Sequence, residues 1–234
     1  MHNSCFYFII SLFRRKSIAE SRLDKALAKY QKGDQVELVF RSFELDPTLP
    51  LDQSYPARDY LALKYQLSSE QAQAQLDAIT NLAKEEGLSF HFDQAWIPNS
   101  RKSHRLPHLA SDRGLGKEMA KLLFQAHFTR GLDLAQDQVL KDLGQELGLE
   151  AALVEEALQS QDYAARIAAD QEAGMALGIT AVPFFLFDGR FSISGAQPQS
   201  VFEEAVERSF GLVAKPVSLG TSDQTCGPNG CFIE

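Results

Sequence analysis

Apolar and polar positions follow two different periods along this chain, and the points where the period changes mark its elements. The opening run NSCFYFII, residues 3–10, is short, aromatic and β-branched, the composition of a buried strand. Ala19, Leu23, Ala26, Leu27 and Tyr30 then recur at helical spacing behind a capping-box signature, Ser17-x-x-Glu20, which puts Ser17 at the N-cap. Gly33 ends that helix. The segment VELVFRSF, residues 36–43, alternates in its first half and predicts a second strand that stops at Asp46-Pro47.

From 51 to 177 helical patterns dominate, and the only strand expected there is a short one in LSFHF around Phe90. Ser68 or Ser69 caps a helix with Ala72, Leu76, Ile79 and Ala83 on one face, and Gly87 is its stop. Residues 101–112 read as helical, with Pro107 marking a kink or a first turn. Met119, Leu122, Leu123 and Ala126 form another apolar face, as do Val139, Leu143 and Leu147, and helices over 150–159 and 162–177 complete the set.

The period returns to that of strands in GITAVPFFLFDGRFSISG, residues 178–195. An apolar run over 184–187, closed by Asp188-Gly189 and followed by a second short run, predicts a tight hairpin whose central residues take positive φ. Phe202, Ala205, Val206 and Ser209 mark a last helix, and a polar, Gly- and Pro-bearing tail follows. The expected organisation is one discontinuous α/β domain from 1–50 and 177–214, a helical insertion over 51–176, and a tail over 215–234.

Composition narrows the function classes. The 234 residues carry a net charge of -8, which argues against a nucleic-acid surface, since phosphate binding needs a basic footprint. The longest early apolar run, 6–13, is far shorter than the roughly 20 residues that cross a bilayer. Arg14, Arg15 and Lys16 follow that run, whereas a signal peptide carries its basic residues before it, so the expected location is cytoplasmic. Of the three cysteines, Cys5 reads as small-hydrophobe packing in the first strand. Cys226 and Cys231 flank Gly-Pro-Asn-Gly, a reverse-turn sequence that brings its ends together. Closing so short a loop constrains the unfolded chain by only about 2 kcal/mol. Three readings of the pair therefore stand: a redox-active or regulatory disulfide, a passive reduced pair, or half of a metal site. His104 and His108 share a helical face, but the segment His-Arg-Leu-Pro-His lacks the glutamate of a metalloprotease motif, and no metal site is expected. Pro183 by itself reads as a trans proline opening a strand.

The block TAVPFF, with its hairpin and SGAQP, resembles the cis-proline hairpin of DsbA-like members of the thioredoxin superfamily, and more narrowly of the FrnE-like proteins. ESRLDKAL, RSFELDP and SHRLPHLA extend the likeness, which runs from Ser17 to Cys231. The resemblance implies a thioredoxin-like α/β fold with a helical insertion, thiol–disulfide oxidoreduction on protein or small-thiol disulfides, and no external cofactor. It also implies a cis Pro183, with Val182 offering backbone groups to an extended substrate, and a packing role for His104 between insertion and core.

Relatives of this kind carry C-P-x-C-Y-I-G just before the block matching Glu20 to Leu23; here Phe13 and Lys16 stand at the two cysteine positions. Neither side chain can attack or form a disulfide. Three explanations of that departure compete: residues 1–17 read in a frame other than the native one, a degenerate member that kept the fold, or an anion site in which Arg14, Arg15 and Ser17 receive a ligand such as glutathione. If the dithiol function persists, Cys226 and Cys231 are its candidates. The rivals are a peptide-binding pseudo-enzyme and a glutathione-dependent transferase or isomerase of the kappa or hydroxychromene carboxylate isomerase type.

Overall fold

The computed structural model describes residues 4–10 and 16–212, with side chains from 18 onward. Strand β1, Ser4–Ile10, leads into helix α1, Lys16–Lys29, and after one 3-10 turn at Gly33–Gln35 the chain returns as β2, Val36–Ser42. β1 and β2 pair in parallel, Ser4 beside Val36 through Ile10 beside Ser42. A parallel pair needs a crossover element, and α1 is that element.

Between Ser42 and Phe184 the chain is mostly helical: β3 (Ser54–Pro56), α2 (Ala57–Tyr65), α3 (Ser69–Glu85), β4 (Trp96–Pro98), α4 (Arg105–Ser111), α5 (Gly116–Phe128), α6 (Asp137–Glu146), α7 (Ala151–Gln159) and α8 (Gln161–Ala176). α3 begins where expected, because the Ser68 hydroxyl accepts from the Gln71 N–H while the Gln71 side chain accepts from the Ser68 N–H. Pro107 lies in the first turn of α4, where its missing donor costs nothing.

β5, Phe184–Phe187, and β6, Phe191–Ser194, then complete a four-stranded sheet in the order β2-β1-β5-β6, and α9, Gln199–Ser209, closes the fold. β5 runs antiparallel to both β1 and β6. The turn between β5 and β6 is the one the Asp-Gly pair predicts, with φ of 50° at Asp188 and 67° at Gly189 and the Arg190 N–H donating to the Phe187 carbonyl at 2.9 Å.

One core lies where α1 and α9 pack on a sheet face. Phe185, Phe187 and Ile193 point into it from the hairpin, against Ala19, Leu23, Ala26, Phe202, Ala205 and Val206. The ring of Phe185 meets that of Phe202 edge-on at 5.2 Å. A second core fills the bundle of α4 to α7, and a third gathers α2, α3, Phe90, Phe92, Phe124 and Phe128.

Three expectations need correction. LSFHF is not a strand: Phe90 and Phe92 are loop side chains that fill the third core, ring against ring at 5.7 Å, so their apolar density reflects burial without sheet pairing. The strand pairing in this region is instead a two-stranded ribbon of β3 and β4, each three residues long and too short to show a period. Helix α1 already runs at Lys16, so Ser17 lies inside its first turn instead of capping it.

Candidate functional site

Phe184 of β5 sits beside Ile9 of β1, so the head of β5 lies at the sheet end where β1 hands over to α1. Val182 and Pro183 precede that head. Their peptide bond is cis, Pro183 is buried and Val182 half-buried. The Pro183 carbonyl accepts from the Gly195 N–H at 2.7 Å, which extends the β5–β6 ladder by one rung beyond Phe184 and Ser194. Behind this corner Val182 and Phe184 pack on Phe43 and Ile179.

The loop that follows β6 is held from α1. Arg22 donates from Nη1 to the carbonyls of Ala196, at 3.0 Å, and Gln197, at 2.8 Å, and its Nε meets Glu86 just past the end of α3 at 2.7 Å. Gln199 returns a bond to the Arg22 carbonyl. Both members of the ion pair are about one-tenth exposed, 11% and 10% by side chain, and Lys25 reaches the other oxygen of Glu86 from solvent. Burial pushes the Glu86 carboxyl up, yet Lys25 and Arg22 outweigh it and hold the group below its ordinary value.

A second polar cluster joins the end of β2 to the helices. The Ser42 hydroxyl and His108 Nε2 lie 3.0 Å apart, Asp170 Oδ2 lies 3.4 Å from the same nitrogen, and Asp170 also accepts from the Ser42 N–H at 2.8 Å and from Arg41 at 3.1 Å. Burial raises the Asp170 carboxyl, but the bond to His108, the Ser42 N–H and the Arg41 charge bring it below its usual value. Serine and carboxylate approach the same ring nitrogen, whereas a serine nucleophile relay places them on opposite nitrogens. This cluster therefore joins elements and is not a hydrolase site. Next to it the Glu44 N–H donates to Gln171 and the Glu44 carboxylate meets Arg101.

A cavity of about 680 Å³ runs along the outer edge of β2, lined by Val36 through Arg41 on one side and by Ser111, Gly114 and Gly116 of the α4–α5 turn on the other. Its cationic side chains are each engaged by a carboxylate: Lys117 meets Asp24, Arg41 meets Asp170 and Arg166 meets Asp112.

Of the residues named from sequence, Val182 and Pro183 meet the 195–197 loop through the Gly195 N–H, and Ala196 of that loop packs against the cluster that includes Ile18 of α1. The backbone of Lys16 and Ser17 opens α1. Phe13, Arg14, Arg15, Cys226 and Cys231 lie outside the described residues. His104, His108 and His127 are all buried, and the bridge between insertion and sheet is seen at His108. Among the described residues no group of three or more His, Cys, Asp or Glu side chains is arranged to hold a metal ion, and no helix is long and apolar enough to cross a membrane. Arg22, Glu86 and Asp170 were not legible as site residues. A signal existed for Asp170, which shares a stripe of α8 with Ile167 and Gly174 and so places a carboxylate where the period calls for an apolar residue.

A sheet with a parallel βαβ start, an antiparallel hairpin opened by proline and a helical block between them defines a thioredoxin-like protein. More narrowly, residues 17–207 match the DSBA-like thioredoxin domain model, and the chain belongs to that family. It is 30% identical over 177 residues, 75% of its length, to the uncharacterized protein YwbO of Bacillus subtilis, of which the match covers 83%. A probable DsbA oxidoreductase from Streptomyces coelicolor superposes with a TM-score of 0.85 at 33% identity, over 99% of both chains. A 2-hydroxychromene-2-carboxylate isomerase shares the fold at 14% identity, with a TM-score of 0.66 over 90% of this chain and 100% of that one.

Proposed function

We propose that this protein is a thiol–disulfide oxidoreductase of the DsbA family, in the FrnE-like subgroup, acting in the cytoplasm on protein or small-thiol disulfides. The placement of Val182 and Pro183 at the head of β5, just beyond the rung that pairs Phe184 with Ile9 at the end of β1, carries the reading. An extended substrate pairs with the backbone there, as a strand added at a sheet end. The sequence-matched positions Phe13 and Lys16 bear no thiol, so the working dithiol is Cys226 and Cys231.

In this scheme one thiolate attacks a sulfur of the substrate disulfide, the S–S bond breaks, and the departing substrate thiolate takes a proton. The second thiolate then attacks the mixed disulfide and releases the other substrate thiol. The substrate gains two electrons, Cys226 and Cys231 become a disulfide, and a low-molecular-weight thiol such as glutathione reduces them and is itself oxidised.

The test is insulin disulfide reduction by the full chain with glutathione as reductant, beside Cys226→Ser, with thiol trapping read by mass spectrometry. Turnover that falls to background in the variant supports the reading. No turnover in the parent, with both thiols inert to oxidised glutathione, overturns it. The replacement of both motif cysteines by Phe13 and Lys16 favours a second reading, a peptide-binding protein that keeps the corner beside Pro183 without electron transfer. Peptide binding without turnover would select it.

A further inference from the structure

We propose that Arg22 is a positioning residue for the Val182–Pro183 segment, acting through the loop at 195–197; the inference rests on the substrate-pairing role assigned to that segment above. A continuous series of hydrogen bonds supports it. Glu86, at the end of α3, fixes the Arg22 guanidinium through Nε at 2.7 Å. The guanidinium holds the Ala196 and Gln197 carbonyls from one nitrogen, Nη1. The residue just before them, Gly195, donates its N–H to Pro183 at 2.7 Å.

The chemistry explains why an arginine serves here. The planar, permanently charged fork spends Nε on the carboxylate and Nη1 on the carbonyls, two directions fixed relative to each other. A lysine ammonium is a point charge without that fixed geometry. Gly195 has φ of 77°, and the last rung of the ladder depends on that backbone staying in place. Ordinary turn hydrogen bonds hold the loop only locally: the Gln197 amide reaches back to the Ser194 carbonyl at 2.8 Å. Ala196 also packs against the cores of α1 and α3, a non-directional contact, and Arg22 adds the directed polar tie that relates the loop to α1 and, through Glu86, to α3. The position of α3 is thereby linked to the segment that meets substrate.

The test compares Arg22→Ala, Arg22→Lys, Glu86→Gln and Lys25→Ala in the full chain by two measurements. The first is amide hydrogen exchange resolved at Gly195; the second is fluorescence anisotropy with reduced, alkylated insulin B chain as an extended-peptide probe. Loss of charged hydrogen bonds in Arg22→Ala should speed Gly195 exchange and weaken the peptide by about tenfold each. Arg22→Lys and Glu86→Gln should each give roughly threefold effects, since part of the series remains. Lys25→Ala, which removes only the solvent-side partner of Glu86, should stay within about twofold.

A folded Arg22→Ala with Gly195 exchange and peptide affinity both within twofold of the parent overturns the proposal. So does exchange that rises equally throughout β5, β6 and α9, the pattern of a merely structural residue. If Arg22→Ala does not fold, the Arg22→Lys and Glu86→Gln pair decides by the same criteria. A parent chain that does not bind the peptide would overturn the substrate-pairing role, and Gly195 exchange would still decide whether Arg22 positions the loop.

Discussion

Two junctions of this molecule are held by opposite physics. Where α1 and α9 meet the hairpin, the buried contact is apolar and polar ties such as Lys29 to Glu203 lie at its margin: Phe185, Phe187 and Phe202 are almost fully buried among alanines, leucines and valine. Where β2 ends against α4 and α8, the buried groups are Ser42, His108 and Asp170, with Phe43 and Ile179 as a small apolar patch beside them. Apolar burial is non-directional and indifferent to pH, whereas a buried polar cluster depends on every partner being present in the right protonation state. The first junction supplies stability, and the second fixes how the helical insertion sits on the sheet.

The widest gap between them should open with Phe202→Ala. Removing a fully buried ring that meets Phe185 edge-on is expected to cost about 3–5 kcal/mol in urea unfolding, by the same amount at each pH, so that the stability curve is lowered without a change in its slope against pH. Gly174→Ala probes the other junction by adding an atom. Its Cβ would lie 2.9 Å from Cδ2 and 3.1 Å from Cε2 of Phe43, so the ring must move, at about 1–3 kcal/mol in the same titration.

Asp170→Asn should have the smallest effect at neutral pH, about 1–2 kcal/mol, because the amide oxygen can still accept from Ser42. Its signature is the pH dependence. The Asp170 pKa is lowered in the folded state from an ordinary 3.8, so its stabilisation is complete above the unfolded value and is lost as pH falls through the folded one. The parent should therefore lose stability more steeply than the variant below about pH 4, measured by chemical denaturation at a series of pH values. Parallel curves would remove Asp170 from the explanation of acid sensitivity.

The same contrast decides what could be read from the chain. The apolar junction was legible almost residue by residue, because helix and strand periods put Ala19, Leu23, Ala26, Phe202, Ala205 and Val206 on facing stripes. The hairpin was legible because Asp-Gly has few other uses between two apolar runs. The polar junction was not, since Ser42, His108 and Asp170 are far apart in sequence and no period relates them. Arg22 was hidden for the same reason: it lies between Ser21 and Leu23 on a helix, and only the fold brings the 195–197 loop to it. Phe90 and Phe92 misled in the other direction, because alternating aromatics in a loop imitate a strand. Helix α2 buries a stripe of Ala57, Tyr60 and Leu61, but Leu63 and Tyr65 stand on its exposed side and blur that stripe in the sequence.

The passage along the outer edge of β2 bears on how this protein behaves at high concentration. An edge strand with free backbone groups is a template on which another chain can add, the usual start of sheet-to-sheet polymerisation. Here the α4–α5 turn stands across that edge, near enough to bar a neighbouring sheet and far enough to leave a gap of about 680 Å³. At the opposite edge β6 is four residues long and carries Ser192 and Ser194 among its side chains. By covering the β2 edge the helical insertion should limit self-association, and loosening it at His108 or Asp170 should expose the chain to aggregation before the apolar core gives way.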